Sequence, residues 1–212
     1  MCAILFAGSA SDTLGAKTLG VGFKKSSAKY TWAPSNTTGY KTDFTDLKIA
    51  ISGKSATTDA DSAEFQTSGA AATWNFDTST DVDGSDDWEV ICRMDTNAST
   101  APATNYPSFN WCNTYGTTYS LSDYAEGWYM PTLAEFSMMY RGISNLDAAI
   151  LCAGGDKLLD TSLADAEEQY WTANQFPEWD GGCAYIFSFK DGRAYFYGGK
   201  NMERYVRAIR KF

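Results

Sequence analysis

The run Pro131-Thr132-Leu133-Ala134-Glu135-Phe136 decides how the chain is read. Thr132 followed three residues later by Glu135 is a capping box: the Thr132 hydroxyl accepts from the Glu135 amide, and the Glu135 carboxylate reaches back. Leu133, Phe136 and Tyr140 then share one face of a helix, with Gly142 as a left-handed stop. Ser144 and Asp147 have the spacing of a second box. It opens a helix carrying Leu146, Ala149, Ile150 and Ala153 and closing at Gly154-Gly155. Upstream, a helix is expected from Tyr106 or Pro107 to Tyr115, ending at Gly116. Residues 86–94 fit a helix through Trp88, Ile91 and Cys92, or a strand through Trp88, Val90 and Cys92.

The segments on either side read as β. Leu19 to Phe23 and Leu47 to Ser52 have strand character, the second alternating Leu47, Ile49 and Ile51 with Lys48 and Ala50. Lys29 to Trp32 is a third candidate, and Ser55 to Ser62 reads as a polar surface loop. After the helices, Tyr170-Trp171-Thr172 starts a strand. Ala184 to Phe189 and Ala194 to Tyr197 flank the Asp191-Gly192 hairpin signal, and Arg204 to Phe212 forms a last strand. Strands, then helices, then an antiparallel sheet make an α+β domain, with two to four helices packed on a small, mainly antiparallel sheet.

Composition narrows the function. The 212 residues carry 17 Lys and Arg against 26 Asp and Glu, a net charge of −9, which opposes a nucleic-acid footprint and docking on an anionic membrane. There is no histidine, so imidazole-based triads and zinc sites are excluded. Cys2, Cys92, Cys112, Cys152 and Cys183 form no C-x-x-C pattern; they read as small buried hydrophobes, with one bridged pair as the alternative. No run reaches the ~18 apolar residues of a membrane span. Cys2 to Ala7 is a short apolar run before Gly8-Ser9-Ala10. Residues 1–14 therefore read either as the remnant of an export signal or as a buried first strand, with one domain over 15–212.

Five short motifs carry a family resemblance. Gly127-Trp128-Tyr129-Met130-Pro131-Thr132-Leu133-Ala134-Glu135-Phe136 is similar to a "G-W-Y-L-P-T-x-x-E-L" signature. Asp83-Gly84-Ser85-Asp86-Asp87-Trp88 resembles "D-G-S-D-N-W", which favours helix for 86–94. Tyr170-Trp171-Thr172-Ala173 resembles "Y-W-S-S", Phe189-Lys190-Asp191-Gly192 resembles "F-x-x-G", and Val206-Arg207-Ala208-Ile209-Arg210 resembles "V-R-A-V-R". The family is the uncharacterised domain of bacterial collagen-like adhesins and other exported proteins. The resemblance implies a C-type-lectin-like fold related to the formylglycine-generating enzyme type, which also serves as the variable protein of diversity-generating retroelements. It implies an exported protein, at the cell surface or in the periplasm or extracellular space, that binds a ligand. The calcium-dependent sugar triplets of that fold are absent. The nearest runs are Phe176-Pro177-Glu178, Trp179-Asp180 and Trp74-Asn75-Phe76.

The candidate recognition surface is the aromatic-rich C-terminal region. Tyr, Trp, Gly and Asn are the residues of adaptable binding loops, although alternate aromatics on strands can equally be core. The expected ligand-binding residues are Asn174, Gln175, Phe176, Glu178, Trp179, Asp180, Tyr185, Arg193, Tyr195, Tyr197, Asn201 and Tyr205. The Gln175–Asp180 and Lys200–Glu203 loops should lie at one end of the sheet, away from Asp191-Gly192. Asp81, Asp83, Asp86 and Asp87 read as a solvated turn capping the helix that follows. No metal, cofactor or catalytic residue is expected. The sequence reading is a non-catalytic binder of a protein or glycan, its alternatives a surface structural or assembly subunit and an enzyme of the formylglycine-generating type.

Overall fold

A computed structural model describes residues 3–7, 17–53, 65, 67–164, 168–177 and 180–212, with only the backbone of Leu5, Ala7, Phe196 and Tyr197. Strands β1 (Ala3–Ala7), β2 (Thr18–Lys25) and β3 (Tyr30–Thr31) come first. Helices α1 (Asp87–Met94), α2 (Pro102–Asn105), α3 (Pro107–Asn113) and α4 (Tyr115–Thr118) follow, then β4 (Trp128–Tyr129), α5 (Leu133–Arg141) and α6 (Ile143–Cys152). The rest is β: β5 (Tyr170–Gln175), β6 (Cys183–Ser188), β7 (Arg193–Gly199), β8 (Glu203–Arg204) and β9 (Arg207–Lys211).

The fold is α+β with antiparallel sheets. One sheet has the order β1-β2-β9-β4, a second pairs β3 with β8, and a third runs β5-β6-β7. The residues Ala3 to Ala7, weighed above as signal remnant or strand, pair with Gly22 to Thr18. Two apolar clusters fill the interior. One gathers Leu19, Val21, Phe136, Phe187, Phe189 and Ile209; the other gathers Trp32, Phe44, Tyr115, Trp128, Trp171 and Val206. Arg207 is buried between them. Its two terminal guanidinium nitrogens donate to the carbonyls of Gly22, Asp156 and Lys157, while Nε is buried without a partner.

Several expectations are corrected. Leu47 to Ser52 is not a strand: Thr45–Leu47 is a 3-10 turn, and only Ile51 makes a bridge, to Phe76. Leu47, Ile49 and Ile51 are buried, but so is Ala50, and the backbone meets the 75–81 segment only through scattered bonds to Asn75, Asp77 and Asp81. Gly142 is not left-handed (φ −106°), because α6 begins one residue later and the chain turns without reversing hand. Ser144 and Asp147 make no capping box. The Asp147 carboxylate instead accepts from the amides of Leu158 and Leu159, at 2.7 and 3.2 Å. Residues 86–94 are helical. Of the described cysteines none is bridged, and Cys152 is exposed where a buried residue was expected. Cys2 and the 55–62 loop lie outside the described residues.

The first capping box forms as expected. Thr132 Oγ1 accepts from the Glu135 amide at 3.2 Å, and Glu135 Oε2 accepts from the Thr132 amide at 2.9 Å. Thr132 Oγ1 also lies 3.2 Å from the Val82 carbonyl. Thr132→Ala removes both contacts and should cost about 0.5–2 kcal/mol, read as a lower urea midpoint at unchanged m-value. An unchanged midpoint would show that the helix holds without its cap.

Candidate functional site

The expected recognition residues separate into three groups. Asn174, Gln175, Phe176 and Tyr185 are interior, each at most 1% exposed, so none can touch a ligand in this fold. The cause is irregular pairing. Trp171 faces Ile186 and Gln175 faces Ala184, so β5 carries two extra residues against β6 and Asn174 is turned into the core. Between Ala184–Gly198 and Ile186–Tyr195, β7 carries one extra residue, which interrupts the alternation expected through Tyr195 and Tyr197. Arg193 and Tyr195 are half-buried beside the Asp191-Gly192 turn, where the Tyr195 hydroxyl donates to Asp191 at 2.6 Å. Tyr205 is half-buried elsewhere, with the Lys25 ammonium 4.4 Å above its ring. Asp180 and Asn201 are exposed. Glu178, Trp179 and the side chain of Tyr197 lie outside the described residues.

Gln175 and Lys200 do meet at one end of the β5-β6-β7 sheet, and what joins them is interior. Lys200 is fully buried. Its ammonium donates to Gln175 Oε1 at 2.8 Å and to the carbonyls of Thr42 and Gly39 at 3.0 and 3.2 Å. It sits 4.4 Å from the Trp32 ring and 4.8 Å from that of Phe44. Gln175 Oε1 also accepts from the Phe44 amide at 3.0 Å, while Nε2 donates to Asp43 Oδ1 at 2.5 Å. Burial lowers the Lys200 pKa to about 7, and the Asp43 charge restrains the fall. In the sequence Lys200 marks only a loop boundary, and Asp43 carries no signal of its own. Neither stands in a motif, and only the tertiary approach of the 39–44 segment gives them a role.

A second polar centre lies at the start of α5. Glu135 accepts from the Thr132 and Gly84 amides and from the Tyr129 hydroxyl, the last at 2.8 Å. Asn174 Oδ1 accepts from the Leu133 amide at 2.7 Å. Its Nδ2 donates to Asp81 Oδ2 at 2.5 Å and to the Asp81 and Leu47 carbonyls. Asp81 lines a cleft of about 590 Å³ together with Asp46, Lys48, Asp83, Asp87 and Arg93. The acidic run is therefore not the solvated turn expected. Asp83 does cap, accepting from the Ser85 amide, but Asp87 is buried with its carboxyl against that of Asp81. Among the described residues, no three acidic or thiol groups converge in a way that could hold a metal ion.

Burial pushes the Asp81 and Asp87 carboxyls well above the usual range; the Asp81 charge raises Asp87 further, whereas the hydrogen bond from Asp87 lowers Asp81, so Asp87 holds its proton while Asp81 ionises. Burial also raises Glu135, to about 7, against the pull of the Thr132, Tyr129 and Gly84 donors. A carboxyl raised on folding binds its proton more tightly in the native chain. Its stabilising contribution is complete below about pH 4.5 and is lost as pH rises through about 7. Urea melts should thus show wild type losing about 1–3 kcal/mol more than Glu135→Gln between pH 4.5 and 7.5. Parallel pH profiles for the two chains would mean that Glu135 is ionised throughout.

No family model and no curated protein matches the sequence. Among solved structures, the fold is similar to that of a fimbrial protein from Bacteroides ovatus, with a TM-score of 0.51 and 17% identity. The match covers 93% of this chain but 36% of the fimbrial protein, so this chain spans about a third of its length. The likeness is one of fold.

Proposed function

We propose that this chain is a domain of a bacterial surface protein and acts as a structural or assembly unit of an extracellular appendage, without catalytic turnover. The observation that supports it is the fold shared with a fimbrial protein over 93% of the chain. The interior adds a physical reason. Of the aromatics expected from sequence as contact residues, Phe176 and Tyr185 are spent on the core, and Tyr195 and Tyr205 are half-buried. An aromatic core of this kind is suited to transmitting shape and force.

Within this reading the domain is of the C-type-lectin-like type, supported by the order of its motifs from Asp83 to Arg210. A ligand-binding role would rest on the exposed Asp180 and Asn201, at the sheet end that also carries Lys200. Antibody against the purified chain tests the main reading. It should label intact source cells and detect the chain in the appendage fraction released by shear. Recovery confined to the soluble fraction of lysed cells, with unlabelled intact cells, would overturn it.

A further inference from the structure

We propose that Lys200 and Gln175 join through an intramolecular isopeptide bond, formed by the folded chain itself with Asp43 as proton carrier and ammonia as leaving group. The proposal concerns a modification site and does not depend on the surface assignment.

The four parts of an acyl transfer are already assembled. The nucleophile is the Lys200 amine, 2.8 Å from the carboxamide oxygen of Gln175. It is walled by Trp32 and Phe44, and its burial leaves a substantial neutral fraction near pH 7. The electrophile is Gln175 Cδ. Its amide orientation is fixed by the network, since both the Phe44 amide and Lys200 require an acceptor and Asp43 requires a donor. The Phe44 N–H, 3.0 Å from Oε1, is placed to stabilise the oxyanion that develops there. The carboxylate of Asp43, 2.5 Å from the leaving nitrogen, is about half exposed. It can therefore exchange protons with water and leave a path for ammonia.

The step balances without a co-reactant. The ammonium first loses a proton to solvent. A small rotation of the carboxamide about its soft terminal torsion then turns the face of Cδ toward Nζ. The Nζ lone pair forms the new C–N bond, and the carbonyl π pair moves to Oε1. Asp43 takes a proton from Nζ and delivers it to Nε2. The oxyanion collapses, the Cδ–Nε2 bond breaks, and ammonia departs to take up the released proton. The product is an N-substituted amide in place of an ammonium and a primary amide. Because the groups are held together in a water-poor site, no second molecule has to be brought in. The bond would tie the end of β5 to the residue after β7, clamping the two outer strands across β6.

Intact-mass measurement of the purified folded chain tests this, followed by tryptic digestion and fragment sequencing. The expected chain is lighter by one ammonia. It should yield a branched peptide joining the Gln175 and Lys200 segments, with no cleavage after Lys200. Asp43→Asn, which keeps a hydrogen-bonding side chain, should slow the linkage by about a hundredfold. Lys200→Met should remain at full mass whether or not it folds well. A folded wild-type chain at full mass after prolonged incubation at pH 8, with normal cleavage after Lys200, would overturn the proposal. So would loss of ammonia without the branched peptide. Linkage at wild-type rate in Asp43→Asn would overturn the role given to that carboxylate.

Discussion

The beginning of α5 is the point on which the rest of the structure depends. The first amides of a helix have no partner within it, and here that helix end is buried, where an unpaired amide costs about 1–3 kcal/mol. Water cannot supply the missing acceptors, so side chains must. Glu135 and Asn174 do so, and in doing so they bring together parts of the chain far apart in sequence. Glu135 gathers the Thr132 and Gly84 amides and the Tyr129 hydroxyl, while Asn174 takes the Leu133 amide and reaches Asp81 and Leu47. The strand β4, the turn before α1, the long loop segment and the strand β5 are thereby fixed to one helix terminus.

That constraint explains why the third sheet is irregular. Asn174 can meet Leu133 only if β5 departs from regular pairing with β6, and the ladder gives up two residues there. The same departure leaves Gln175 facing inward, where Phe44, Asp43 and Lys200 satisfy its amide. A polar side chain in this sheet is therefore a connector between layers. The buried Trp32 and Trp171 indoles do similar service, donating to the Thr172 and Tyr30 carbonyls across the same boundary.

Much of the fold was legible in the sequence because its signals are local. Thr132 and Glu135 announce their helix by spacing alone, Asp191-Gly192 announces its hairpin, and Gly192 takes the left-handed conformation that the turn requires (φ 64°). What stayed hidden depends on partners distant in sequence. Leu47, Ile49 and Ile51 alternate like a strand, but whether a strand forms depends on a neighbour the pattern cannot supply. Asp147 was assigned to its own helix and in fact serves the amides of Leu158 and Leu159. The candidate surface failed to survive intact for the same reason. Period-two reading assumes unbroken ladders with one solvated face, whereas the bulge in β5 turns Asn174 and Gln175 inward and Tyr185 lies on β6, a middle strand buried along its whole length. Asp43 and Lys200 carried no local signal, and only the closure of the chain makes them a pair.

A domain organised around buried polar junctions is stiff where those junctions lie, and the structural role proposed above calls for that stiffness. Native-state hydrogen exchange of the Gly84, Leu133 and Glu135 amides, followed through increasing denaturant, reads that property at the junction itself. The account predicts that all three exchange only through global unfolding, with the same free energy and denaturant dependence as the central β2 and β9 amides. Rapid, denaturant-insensitive exchange at these amides, while β2 and β9 stay protected, would contradict it.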